Sequence, residues 1–339
     1  MLDTELLSRL VNAPAPSGFE EEVRRIVVEY LLDRGLEPQV DQVGNTYVVL
    51  GEGRPTMIIA AHMDEVGFIT LHVDHSGFLR VAPLGGLRPQ TLPGTEVVVL
   101  AGSRLLPGII GAEPPHTSRG REQTGFESLY VDIGASSREE AYGMGVRPGT
   151  PITFAGNFKD WGRHVSGKAL DDRLGCYLLL RALATGAEPG EGSVVAAFTV
   201  QEEVGTRGAA AIASRIQPNF GIAVEGTIAN DIPGVSEDKI VTRMGGGAAI
   251  RVMDRTLISS RRLVDHLAAL AEAAGIDYQF QLSPYSGTDA GRFLLVGAEV
   301  AGIAVPARYI HSPAALALKS DIEAAEKLLA ALISDPWPG

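Results

Sequence analysis

The apolar runs of this chain stop, one after another, at a histidine or a carboxylate. Residues 56–61 lead into His62, with Asp64 two positions on; residues 195–200 lead into Gln201, Glu202 and Glu203; residues 221–224 lead into Glu225; and His311 follows Ala307-Arg308-Tyr309-Ile310, which carries one arginine. Short runs rich in Val, Ile and Ala, bounded by turn residues, read as buried strands. Ionisable groups are costly inside such strands and tolerable at their ends, and open α/β sheets place their sites in the crevice beyond the strand carboxyl ends. The pattern therefore calls for an α/β sheet with its polar side chains converging on one edge.

The rest of the chain fits around that sheet. Residues 2–11 and 20–36 carry amphipathic helical spacing, the second preceded by Pro14-Ala15-Pro16-Ser17-Gly18 and closed by Gly35, and a further strand is predicted over 44–50. From 70 to 162 the texture changes to short Val/Ile/Leu runs at 94–100, 105–111 and 128–133, broken by Gly and Pro, with no helical period. That stretch predicts a small β-barrel or sandwich inserted into the core. The α/β pattern resumes after Gly167, with helices over 172–184, 209–215 and 321–333 and strands over 193–200 and 222–225. The 339 residues thus divide into a catalytic α/β domain, residues 1–69 and 163–339, and an inserted β domain at 70–162 that holds none of the candidate site residues and serves assembly or access.

Metal-assisted hydrolysis needs His and carboxylate ligands, a carboxylate shared between ions, and one uncoordinated carboxylate to take a proton. His62, Asp171, Glu202, Glu203, Glu225 and His311 supply that set. His62 and Asp64, two apart on a strand, face the same way, so Asp64 can orient a ligating imidazole; the pair equally suits a strand-end His beside a solvated Asp. Asp171-Asp172 opens a helix, where one carboxylate suffices as a cap and the other is free for a second task. Glu202-Glu203 repel one another at a strand end unless cations neutralise them. His72, His75, His116, His164 and His266 read as surface or loop residues. The chain has no His-Glu-x-x-His helix, Gly-x-Ser-x-Gly elbow or Walker-type phosphate loop.

Composition narrows the partners. A net charge of −12 disfavours nucleic acid and anionic membrane surfaces, and two divalent cations would cancel about four of those charges. The first residues lack the basic and apolar segments of a secretory leader, and the single cysteine, Cys176, has no partner for an internal disulfide; both favour the cytoplasm.

The order of motifs resembles the tetrahedral or deblocking aminopeptidases, metallopeptidase family forty-two, which includes glutamyl aminopeptidases and members labelled endoglucanases. The resemblance spans nearly the whole chain, through Pro14-Ala15-Pro16-Ser17-Gly18, Ala61-His62-Met63-Asp64-Glu65-Val66-Gly67-Phe68, Ala169-Leu170-Asp171-Asp172-Arg173, Gln201-Glu202-Glu203-Val204-Gly205, Val224-Glu225-Gly226-Thr227, Ser286-Gly287-Thr288-Asp289-Ala290 and Tyr309-Ile310-His311-Ser312. It implies an α/β/α core on a mixed sheet with an inserted PDZ-like β-barrel, and two divalent ions, zinc or cobalt. One ion would be held by His62 and Glu225, the other by Glu203 and His311, with Asp171 bridging. Many relatives have Asp where this chain has Glu225. The resemblance further implies that Glu202 is the general base on a metal-bridging water and that Asp64 tunes it or His62. It implies as well a cis peptide between Asp171 and Asp172, and dimers that assemble into a dodecamer admitting peptides. The same residues leave open a metal-dependent deacylase of acylated amino acids, an endoglucanase needing only two carboxylates, and a non-catalytic assembly protein.

Overall fold

The computed structural model describes residues 2–113 and 125–338; His116 lies outside them. Among the described residues an eleven-stranded mixed sheet runs Gln39–Val40, Thr46–Glu52, Gly192–Thr199, Thr56–His62, Phe220–Ile228, Glu299–Arg308, Ala315–Leu318, His164–Gly167, Lys159–Asp160, with Ala248–Met253 and Tyr278–Leu282 branching from Glu299–Arg308. The four strands from Gly192–Thr199 to Glu299–Arg308 are parallel, as are Ala248–Met253 and Tyr278–Leu282, and the remaining pairs are antiparallel.

Helices cover both faces. Met57, Ile59 and Ala61 pack under Thr4–Asn12, Glu21–Leu32, Leu170–Leu183, Arg261–Ala274 and Lys319–Ser334, while Ile58 and Ala60 face Arg207–Ile216 and Ala290–Leu295. Coverage on both sides is why the central strands are uninterrupted apolar runs without alternation. Leu170–Leu183 lies between the sheet and the outer helices, and Tyr177, Leu178, Leu179 and Leu180 are fully buried. Each such leucine contributes about 1.5–3 kcal/mol, so the N-terminus of this helix, which carries the aspartate pair, has a rigid base.

The inserted stretch closes into a six-stranded barrel: Gly67–Val73, Leu79–Leu84, Tyr130–Asp132, Arg104–Gly111, Glu96–Ala101 and Pro151–Phe154. It has its own core, including Val97, Val99, Val131 and Ile152, with Phe68 and Phe154 edge to face at 5.9 Å. One expectation needs correcting: the stretch does contain a helix, Arg138–Gly143, capped by the Ser137 hydroxyl accepting from the Glu140 N–H. Six residues are too few to print a helical period in the sequence.

Candidate metal centre

Sheet register brings the site together. Thr199 pairs with His62, so the turn carrying Glu202 and Glu203 emerges beside His62, and Ala223 pairs with Ala60, which sets Glu225 level with His62. His311 follows the next strand, Glu299–Arg308. The aspartate pair divides its labour. Asp172, fully buried, accepts from Gly175 N at 2.7 Å, Gly226 N at 3.1 Å and His62 N at 3.0 Å, capping its helix and tying it to two strands. Asp171 is thereby left to face the cavity, and the peptide between the two is cis.

Asp171 stands between two imidazoles: Oδ1 is 3.4 Å from His62 Nε2 and Oδ2 is 3.4 Å from His311 Nε2. On their far sides, His62 Nδ1 lies 3.2 Å from the Asp64 carbonyl and His311 Nδ1 lies 2.9 Å from the Gly86 carbonyl. Carbonyls only accept, so each Nδ1 carries the proton and donates outward, and each Nε2 turns toward the carboxylates. Glu203 Oε1 is 3.1 Å from His311 Nε2 yet takes no hydrogen bond, and Glu225 Oε1 is also buried without a partner. Asp171, Glu203 and His311 each offer a ligand atom within 4.8 Å of the others.

The electrostatics tell of missing positive charge. Burial pushes Glu202 well above the ordinary carboxylate range; His62 opposes this, while Glu203, Asp289 and Glu225 add to it. Burial raises Glu203 despite His311, and raises Glu225 to about 8 despite Arg251. Burial works against the protonated imidazoles, but Asp171 and Asp64 lift His62, and Glu203 and Asp171 lift His311, well above the usual value. Asp171 is driven up by burial and down, further, by those same imidazoles. Divalent cations held here would relieve the charge that burial penalises on these carboxylates. Orphaned buried oxygens and inward-facing imidazoles therefore fit a metal centre.

Asp64 does more than face His62, whose Nδ1 is 3.5 Å from Oδ1. Its carboxylate accepts from Glu202 N at 2.9 Å, Glu203 N at 3.2 Å and the Ser17 hydroxyl at 2.6 Å. Sequence reasoning missed Arg251, which is buried and donates to Glu225 at 2.9 Å and Asp254 at 3.0 Å. Its one signal was the i,i+3 spacing to Asp254.

His62, Asp171, Glu202, Glu203, Glu225 and His311 all line one cavity of about 920 Å³. Its remaining charged lining, among the described residues, is arginine alone: Arg88, Arg251, Arg255 and Arg292. No helix among the described residues is long and apolar enough to cross a membrane.

A family model for M42 glutamyl aminopeptidases matches residues 44–328. The lysyl aminopeptidase of Pyrococcus furiosus is 35% identical over 350 positions, covering 100% of this chain and 99% of its own. Aminopeptidase APDkam598 from the archaeon Desulfurococcus kamchatkensis matches with a TM-score of 0.93 at 36% identity, covering 98% of this chain and 95% of that one. The TET1 peptidase of Pyrococcus horikoshii, described as able to assemble into a tetrahedron or a large octahedral shell, matches with a TM-score of 0.89 at 34% identity, covering 98% of this chain and 99% of that one.

Proposed function

The chain belongs to the M42 glutamyl aminopeptidase family and is a metal-dependent aminopeptidase, and from that premise we propose the roles of its residues. Two divalent ions, zinc or cobalt, would be held here, His62 and Glu225 serving one, Glu203 and His311 the other, with Asp171 shared between them. The observation that carries this reading is the placement of the two Asp171 oxygens, each 3.4 Å from a different imidazole. When bound, the ions supply Lewis-acid polarisation of the scissile carbonyl and lower the pKa of water.

The remaining work falls to the protein. Glu202 accepts the proton of the attacking water on its carboxylate and returns it to the leaving amine. Asp64, through the Glu202 and Glu203 N–H groups, holds the turn that presents both side chains. The arginine-only lining beyond the centre favours a substrate with an acidic first residue, because a lysine side chain there would meet like charge. Residues 70–162 form the assembly and access unit of an otherwise continuous catalytic domain, residues 1–69 and 163–339. Twelve chains, as dimers, enclose a chamber that admits peptides, and the single cysteine accords with the cytoplasm.

Dialysis against a chelator, then assay of aminoacyl chromogenic substrates with zinc, cobalt or manganese restored, tests this reading. We expect activity to vanish and return with metal, and glutamyl or aspartyl substrates to outrun lysyl ones. Full activity in metal-free protein refutes the centre, and a faster lysyl substrate refutes the role given to the arginines.

A further inference from the structure

The motif at Pro14-Ala15-Pro16-Ser17-Gly18 has no part in the chemistry above, yet it leads to a carboxylate in an unusual position. Glu20 is only 2% exposed. A carboxylate is rarely buried without hydrogen bonds to satisfy it, and here they come from the backbone: Oε1 accepts from Gly18 N at 2.6 Å and from Gln201 N, far along the chain, at 3.1 Å. Gly18 permits the first contact, since its φ of 90° turns the segment back toward Glu20.

The second contact matters for the reaction. Gln201 adopts φ 56°, a left-handed backbone that residues with side chains rarely occupy. It is the bend between strand Gly192–Thr199 and Glu202. The next two N–H groups, of Glu202 and Glu203, end on the Asp64 carboxylate, and the Ser17 hydroxyl donates to that same carboxylate at 2.6 Å. Three successive N–H groups are thus held by two buried carboxylates, and Asp64 does not reach the first of them. The docking of the segment is fixed by Ser17 N donating to the Glu65 carbonyl at 3.3 Å and Glu65 N donating to the Ala15 carbonyl at 3.0 Å.

We infer that Glu20 is a positioning residue for Glu202: by accepting the Gln201 N–H it fixes the left-handed bend from which the Glu202 carboxylate is aimed. The inference rests on Glu202 being the general base. An uncharged acceptor serves equally, because the requirement is for a lone pair at that place. Burial pushes the Glu20 carboxyl up to about 7 against the pull of the Gly18 N–H, so Glu20→Gln is a close mimic of its protonated form.

The test is a double-mutant cycle on the metal-loaded protein, with kcat, KM, metal content and melting temperature measured on the same preparations. Misplacing a reacting group by about 1 Å can cost about 100-fold, so Glu20→Ala should lower kcat about 10–100-fold, with KM and metal content unchanged. Glu20→Gln should stay within about threefold of the parent, and Glu20→Ala added to Glu202→Gln should cost less than about threefold more, since a misplaced glutamine loses nothing further. Should Glu20→Ala fail to fold, Glu20→Met, of similar volume and without an acceptor, carries the same arms. An unchanged kcat in the Ala or Met variant overturns the inference, as does an equal loss in both backgrounds or a Gln variant as poor as Ala. A near-normal kcat for Glu202→Gln alone strikes instead at the base assignment, and takes the positioning role with it.

Discussion

Replacing Glu202 with glutamine tests the proposed chemistry with little structural disturbance. The residue is held by its backbone, whose N–H donates to Asp64 at 2.9 Å, and an amide of the same length leaves that contact in place. What is lost is proton acceptance. A positioned general acid–base is worth about 10²–10⁴-fold. We therefore expect a loss of about 10³-fold in kcat, or about 4 kcal/mol of barrier. The assay is steady-state turnover of an aminoacyl chromogenic substrate with metal content measured by elemental analysis. Turnover within tenfold of the parent at full metal content refutes the role. A second readout has the opposite sign. In metal-free protein the folded-state pKa of Glu202 lies above its reference value of 4.5, so the native state holds more protons than the unfolded chain. The stability this gives is present below about 4.5 and is lost as pH rises through the folded value. Glutamine has no charge to bury, so Glu202→Gln should melt at the parent temperature in acid and above it at pH 8, with chelator present throughout. A variant less stable than the parent at pH 8 contradicts the electrostatic reading.

Asp171→Asn leaves one ligating oxygen where two face different imidazoles, and its amide nitrogen turns a donor toward one of the positions an ion would share. Both metals should weaken together, and loss of only one equivalent by elemental analysis would show Asp171 to be a terminal ligand. For assembly, light scattering on the metal-loaded protein should give a particle of twelve chains; a monomer across working concentrations counts against the chamber.

The sequence showed the core sheet because both faces of its strands are covered, which writes each as a continuous apolar run, and the strand ends it singled out at His62, Glu202-Glu203, Glu225 and His311 are residues that line one cavity. The division between Asp171 and Asp172 was half legible. One carboxylate was expected to cap the helix, and the structure gives that duty to Asp172, whose partners include Gly226 and His62. The other contacts that hold the site leave no local trace. The hydrogen bond from Gln201 N to Glu20 joins residues 181 positions apart, and that from Glu202 N to Asp64 joins residues 138 apart. No period or cap signature spans such distances.

Glu225 is a longer carboxylate than aspartate, and a neighbouring arginine limits where it can go. A longer carboxylate in place of aspartate has an extra torsion and can swing away from its duty. Here Arg251 Nη2 donates to Oε2 at 2.9 Å while Nη1 donates to Asp254 at 3.0 Å. Asp254 is itself fixed by Thr256 N and Oγ1, Leu257 N and Thr288 Oγ1. The guanidinium therefore cannot follow Glu225 if it moves, and one carboxylate oxygen is pinned. The other, Oε1, is left buried and without a hydrogen-bond partner beside the centre, and burial still raises the group to about 8. That oxygen is free to accept a further ligand. The extra methylene of Glu225 is thus locked by an ion pair into presenting a single ligand atom, which is the service the proposed first metal site asks of it.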